Sequence, residues 1–161
     1  MEDVVTDRSG KEKPDNNYGT PAWLYEFLDD EFHFDFDPCP LNHNLEEWDG
    51  LNVEWGDVNF VNPPYDKIGK PAFVMRAFEL WMMEGKTSVV LIPVATSTYL
   101  FHRFIIPYAE IRFLDKRIKF IGNGKGTGMH DNMIIIFSDD IVPCVKTMSI
   151  RNLQRIRKSV D

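Results

Sequence analysis

Asn62-Pro63-Pro64-Tyr65 is the stretch whose residue types could do chemistry. Pro63 drives Asn62 out of the helical region and Pro64 does the same to Pro63, so the backbone leaves the preceding apolar run, Val58 to Val61, extended and unable to coil. Neither proline carries an amide hydrogen. The corner therefore consists mostly of acceptors, the side-chain oxygen of Asn62 and the carbonyls of Asn62 and Pro63, with the Tyr65 ring beside them. That set suits a planar group that offers an amine. The alternative, a surface turn with a packing tyrosine, sits badly with the buried-looking strand just before it.

Elements on both sides must hold this corner in place. Thr20 before Pro21 reads as a hydroxyl N-cap with proline at the first helical position, and Leu24, Phe27 and Leu28 mark the apolar face of a helix ending near Glu31. Phe32 to Asp37 alternates aromatic and polar residues, which predicts a strand stopped by Pro38 and Pro40. From Leu41 to Gly56 the chain is acidic and turn-rich, with Trp48, Leu51 and Trp55 as anchors. Beyond the corner, Pro71 opens a helix closed by Gly85, Thr87 to Pro93 reads as a buried strand, and Ser97 to Pro107 looks helical. Ile111 to Phe113 and Ile118 to Phe120 are expected to pair around Asp115-Lys116, Met133 to Phe137 is another apolar run, and Met148 to Lys158 has helical spacing. Strand, helix, strand, helix and an antiparallel end predict an α/β sheet, on which ligands sit outside the carboxyl ends of the strands. Asp37 and Asn62 both fall there.

With 161 residues, 43% of them hydrophobic, the chain has the length of one domain with a real core. Residues 1–17 are polar and aperiodic and are expected as a disordered lead-in, leaving 18–161 as the single domain. Cys39 and Cys144 have no pairing or metal spacing, nor do the four histidines combine with them, and no signal peptide or membrane span is visible. These features imply a reduced, cytoplasmic protein. A net charge of -7 argues against non-specific nucleic-acid binding by the whole molecule. The average conceals a gradient: acidic residues crowd Asp29 to Asp57, while Lys116, Arg117, Lys119, Lys125 and then Arg151, Arg155, Arg157 and Lys158 occupy the last third.

Asn62 to Tyr65 resembles the catalytic motif of S-adenosylmethionine-dependent methyltransferases that act on amino groups, whether of adenine, cytosine or glutamine side chains. The resemblance implies that the Asn62 oxygen and the Pro63 carbonyl accept the two amine hydrogens, freeing the nitrogen lone pair, while Tyr65 stacks on the ring. Tyr18-Gly19-Thr20-Pro21 and then Phe36-Asp37-Pro38-Cys39 precede the corner, Trp55 comes shortly before it and Lys116 to Phe120 follow. In that order, from Tyr18 to about Phe137, they are similar to the small phage-encoded DNA N6-adenine methyltransferase family. The resemblance implies a compact Rossmann-like methyltransferase sheet, to which the order of elements adds an antiparallel C-terminal hairpin, and places Tyr18, Thr20, Pro21, Asp37, Pro38, Cys39 and Asn62 around the cofactor, with Asn44 in the acidic loop as a further polar contact.

Two departures stand out. Pro38 to Asn42 contains no glycine where a glycine-rich loop normally approaches the cofactor, and the interval from Asp37 to Asn62 is too short for two further strand-helix units. The acid for the cofactor ribose is therefore not fixed by spacing; Glu46, Glu47 and Asp49 are the candidates. A duplex adenine would have to be flipped out, and Lys116, Arg117, Lys119 and Lys125 are the candidate DNA contacts, with a solvated hairpin as the plain alternative. Three function classes follow: an adenine-N6 DNA methyltransferase, a methyltransferase for a protein glutamine or RNA amine, and a degenerate methyltransferase fold used for binding.

Overall fold

The computed structural model describes residues 19–40, 49–121 and 130–153. The lead-in, Tyr18, Asn44, Glu46, Glu47, Lys125, Arg155, Arg157 and Lys158 lie outside them. Among the described residues the elements are α1 (Ala22–Phe32), β1 (Val58–Val61), α2 (Gly69–Glu84), β2 (Thr87–Pro93), β3 (Glu110–Leu114), β4 (Asn132–Phe137) and β5 (Cys144–Met148). A π-helical turn, Phe101–Ile105, lies between β2 and β3, and the chain turns helical again at 150–153.

The five strands form one sheet in the order β1-β2-β4-β3-β5. β1 and β2 are parallel, as are β3 and β5, while β4 is antiparallel to both its neighbours. The sheet is therefore parallel apart from β4. A parallel β1–β2 pair needs a crossover, and α2 supplies it. Successive residues of β2 and β4 point to opposite faces, and both faces are covered. Val90, Ile92, Ile135 and Phe137 pack with α2 and the π-helical turn, whereas Val89, Leu91, Ile134 and Ile136 pack with α1, Ile118, Phe120 and Ile150. Double coverage is why these two strands read as unbroken apolar runs rather than alternating ones.

Several local expectations are corrected. The expected strand at Phe32 to Asp37 is only an isolated parallel bridge, Phe36 to Asn59. α1 runs on to Phe32 and reverses at His33 (φ 57°), the Asp35 carboxylate takes the amides of Asp57 and Val58, and the pairing with β1 is confined to two main-chain bonds, Asp35 N–H to the Val58 carbonyl and Phe60 N–H to the Phe36 carbonyl. The pairing of 111–113 with 118–120 is not formed. Both edges of β3 are occupied by β4 and β5, and Asp115, expected in the hairpin turn, instead accepts from the amides of Ile150 and Arg151 at the start of the last helical segment. That segment begins at Ile150; Met148 ends β5, a strand the sequence reading did not anticipate. The helix expected over 97–107 is present over 99–105, with Phe101–Ile105 in π-helical form. α2 closes as expected on Gly85, whose φ of 66° is the left-handed conformation that favours glycine.

Candidate active site

The corner stands at the carboxyl end of β1. Asn62 is 5% exposed, Pro63 is buried, and Pro64 and Tyr65 are half-buried. Asn62 Nδ2 donates to Thr20 Oγ1 at 3.0 Å. This bond corrects the expected role of Thr20: Pro21 occupies the N-cap position of α1, no side chain caps that end, and the hydroxyl is turned to Asn62 instead. The donor end of the Asn62 amide is thereby engaged. Its carbonyl end, Oδ1, is the end suited to accept from a substrate amine.

Tyr65 is fixed from three directions. Its hydroxyl donates to the Leu91 carbonyl at 3.3 Å and accepts from Asn132 Nδ2 at 3.4 Å, and its ring meets Phe120 edge-on at 5.7 Å. Asn132, at the start of β4 and 1% exposed, was missed by sequence reasoning. Its signal was an amide side chain opening an otherwise apolar strand. The segment carrying Lys116, Arg117 and Lys119 is brought to the corner by Phe120 and by the antiparallel bridge between Gly19 and Ile121. Arg117 Nε is held by Asp131 at 3.0 Å, while Lys119 is exposed.

On the inner side of Asn62 lies a cavity of about 210 Å³. It brings together four residues expected around a cofactor, Thr20, Asp37, Cys39 and Asn62, and adds Tyr25 and Phe60. Pro21 and Pro38 do not line it. Pro21 is the N-cap of α1, and Pro38 is buried with its carbonyl directly against the place a Cβ on Gly50 would occupy. Ala22 and Gly19 complete the wall. Ala22 and Tyr25 lie three apart and so share a helix face, which is the signal that could have found them. Asp49 does not line the cavity; its carboxylate accepts from the Leu51 amide in a turn.

The missing glycine loop is answered by glycines from elsewhere. Gly19 brings backbone to the cavity wall through its paired hydrogen bonds with Ile121, both 2.9 Å, and Gly50 lets the turn after Asp37 pack close. Asp37 Oδ1 accepts from the Cys39 amide at 2.8 Å and shapes that turn. Burial, and then the Asp37 charge, push the Cys39 thiol far up, so it stays protonated and is no nucleophile. Burial, then Asp29 and Asp37, likewise raise the Tyr25 phenol.

An α/β sheet with an acceptor-rich Asn-Pro-Pro-Tyr corner at a strand's carboxyl end, beside a small cavity, defines an amino-group methyltransferase. The family of DNA N-6-adenine-methyltransferases (Dam) matches residues 8–159. The DNA N-6-adenine-methyltransferase of Haemophilus phage HP1 (strain HP1c1) is 29% identical over 149 residues, which covers 83% of this chain and 85% of the relative. No solved structure matches the chain. The chain belongs to the Dam family of DNA N-6-adenine methyltransferases, and its reaction is methylation of adenine N6 in DNA.

Membership implies S-adenosylmethionine as the methyl donor. The residues present fit part of such a molecule. A hydroxyl, a carboxylate and two aromatic rings suit its polar and ring portions, but about 210 Å³ is below the roughly 300–1,000 Å³ of sites that enclose drug-sized ligands. Residues 41–48, between Pro40 and Asp49, are outside the described chain.

Proposed function

We propose that the chain transfers a methyl group from S-adenosylmethionine to the N6 amine of an adenine flipped out of duplex DNA, with Asn62, Pro63, Pro64 and Tyr65 as the catalytic corner. The observation that carries this reading is the position of Asn62, hydrogen-bonded to Thr20 at the wall of the inner cavity and followed directly by an aromatic platform. When bound, the sulfonium supplies an already activated methyl group. The protein's own contribution is orientation and electrostatics. Asn62 Oδ1 and the Pro63 carbonyl accept the two N6 hydrogens, which draws the nitrogen lone pair out of the ring and aims it at the cavity. Thr20 holds the Asn62 amide in the orientation this needs. Tyr65, braced by Leu91, Asn132 and Phe120, gives the purine a fixed face to stack on.

Thr20, Asp37, Cys39 and Asn62 contact the cofactor in this reading, together with Tyr18, Pro21, Pro38 and Asn44 from the family resemblance. Lys116, Arg117, Lys119 and Lys125 contact the DNA. The sheet is read as a compact Rossmann-like methyltransferase sheet in one domain over 18–161, because β1, α2 and β2 form a parallel crossover unit and the site lies at the strands' carboxyl ends. Among the described residues no helix is long and apolar enough to cross a membrane. We place the enzyme in the host cytoplasm, where the DNA is.

Asn62→Ala should fold, bind cofactor and lose at least a hundredfold in methyl transfer, since it removes an acceptor made for the reacting amine. Tritiated methyl incorporation compared among DNA, RNA and protein tests the substrate at the same time. Normal turnover by Asn62→Ala, or label that enters protein or RNA rather than DNA, defeats the proposal. Calorimetry with S-adenosylmethionine separates a catalyst from a binding module: no heat and no thermal shift would mean the latter.

A further inference from the structure

On the outer side of the corner lies a second and larger space, a cleft of about 530 Å³. One wall runs from Tyr65 through Lys67 and Lys70 into the start of α2, and the other is the turn carrying Thr98 and Leu100. Its charged groups are two lysines and one carboxylate. Asp66 is committed to the helix start, its Oδ1 accepting from the amides of Ile68 and Gly69. Lys67 and Lys70 form no ion pair among the described residues, whereas Arg112, Arg117, Lys86 and Lys146 all do. Next to the lining residues in the chain, Ile68 is 84% exposed and Tyr99, between Thr98 and Leu100, is 74% exposed. Tyr99 is braced edge-on by Phe104 at 5.9 Å.

We propose that this cleft seats the nucleotide adjoining the target adenosine, with Lys67 and Lys70 holding its phosphate and Tyr99 stacking on its base. The inference rests on DNA being the substrate. Two unpaired ammonium groups suit a phosphodiester, and an exposed aromatic ring suits any base, because every base has a π-face. The corner borders both spaces, Tyr65 lining the cleft and Asn62 the inner cavity. A strand laid along the cleft therefore presents its flipped base between them. Expulsion of a base from the duplex costs a few kcal/mol, and contacts to the neighbouring nucleotide are where that cost is offset. These three side chains position the DNA and touch no reacting atom.

The full chain tests this with a short duplex from a substrate DNA. Lys67→Ala with Lys70→Ala should raise KM for DNA about tenfold or more, leave kcat at saturating DNA within about twofold, and leave calorimetric cofactor affinity unchanged. Its plot of log affinity for DNA against log salt should lose about 0.9 in slope, the value for the one phosphate that the two lysines share. Tyr99→Ala should raise KM and Tyr99→Phe should restore it. If the wild type methylates DNA while the double lysine variant keeps its KM and salt slope, the cleft assignment is overturned and the reading of the active corner stands. If the wild type transfers no label to DNA, both fall together.

Discussion

Thr20 Oγ1 accepts from Asn62 Nδ2, so the Asn62 amide presents its donor end to the hydroxyl and its Oδ1 the other way. Thr20→Val keeps the volume and removes the acceptor. Leaving a buried donor unsatisfied costs about 1–3 kcal/mol of stability, roughly 2–12 °C in melting temperature for a chain of this length, and kcat should fall about fivefold or more as the amide loses its partner. Thr20→Ser should recover most of it. An unaltered kcat in Thr20→Val would show that the hydroxyl does no more than pack. Cys39 makes a second prediction. Its thiol is held protonated by burial and by Asp37, so a thiol reagent at about pH 8 should label Cys144, which is half-buried, and leave Cys39 untouched in the folded protein. Peptide mass spectrometry after labelling reads the difference.

At the scale of elements, Arg112 joins layers that the backbone leaves separate. From β3 its guanidinium forms a fork with Glu31 on α1, two contacts of 2.7 Å, and its Nε bonds Glu110 at 2.7 Å, while Lys146 on β5 reaches the same Glu110 at 3.4 Å. Arg112→Ala leaves Glu110, 4% exposed, without its closest cation, and urea denaturation should show a loss of about 3 kcal/mol or more. The Glu31 arm has a definite pH signature. The bond from Arg112 holds the Glu31 carboxyl below its ordinary value, so its contribution is present above the unfolded value of about 4.3 and is lost as pH falls through the lower folded value. Glu31→Gln should therefore be less stable than wild type at neutral pH by under about 1 kcal/mol, the glutamate being part-exposed, and the gap should close in acid. Much at this scale was legible from sequence: α2 with its Gly85 end, the buried β2 and the apolar β4 follow from periodicity and composition alone. Phe32 to Asp37 misled because its alternation is real, but a helix end and the Asp35 carboxylate use the groups a ladder would need. β5 was invisible because Val145, Lys146 and Thr147 are exposed on a sheet edge and carry no burial pattern. At the site, the corner and Asp37 could be read from order in the chain, whereas Tyr25, Phe60 and Asn132 come together only through packing.

The whole molecule faces a conflict, for a chain of net charge -7 must approach a polyanion. Two segments flanking the corner, 65–71 and 116–121, carry the cations that meet DNA in this reading. Those are Lys67, Lys70, Lys116, Arg117 and Lys119, joined by Lys125, and with Lys67 and Lys70 on one phosphate they neutralise at most about five phosphates. Each neutralised phosphate contributes about -0.9 to the slope of log affinity against log salt, so the slope should be no steeper than about -4.5. Raising salt fourfold, from about 50 to about 200 mM, should then weaken binding by no more than about 500-fold, where proteins making six to ten phosphate contacts lose 10³ to 10⁵. The acidic remainder repels DNA at low salt, where screening is weakest, and flattens the plot further. Fluorescence anisotropy with a labelled duplex over that range measures the slope directly. A slope steeper than about -4.5 would mean that cations beyond these six also hold phosphates, and Arg155, Arg157 and Lys158 are the side chains to substitute next.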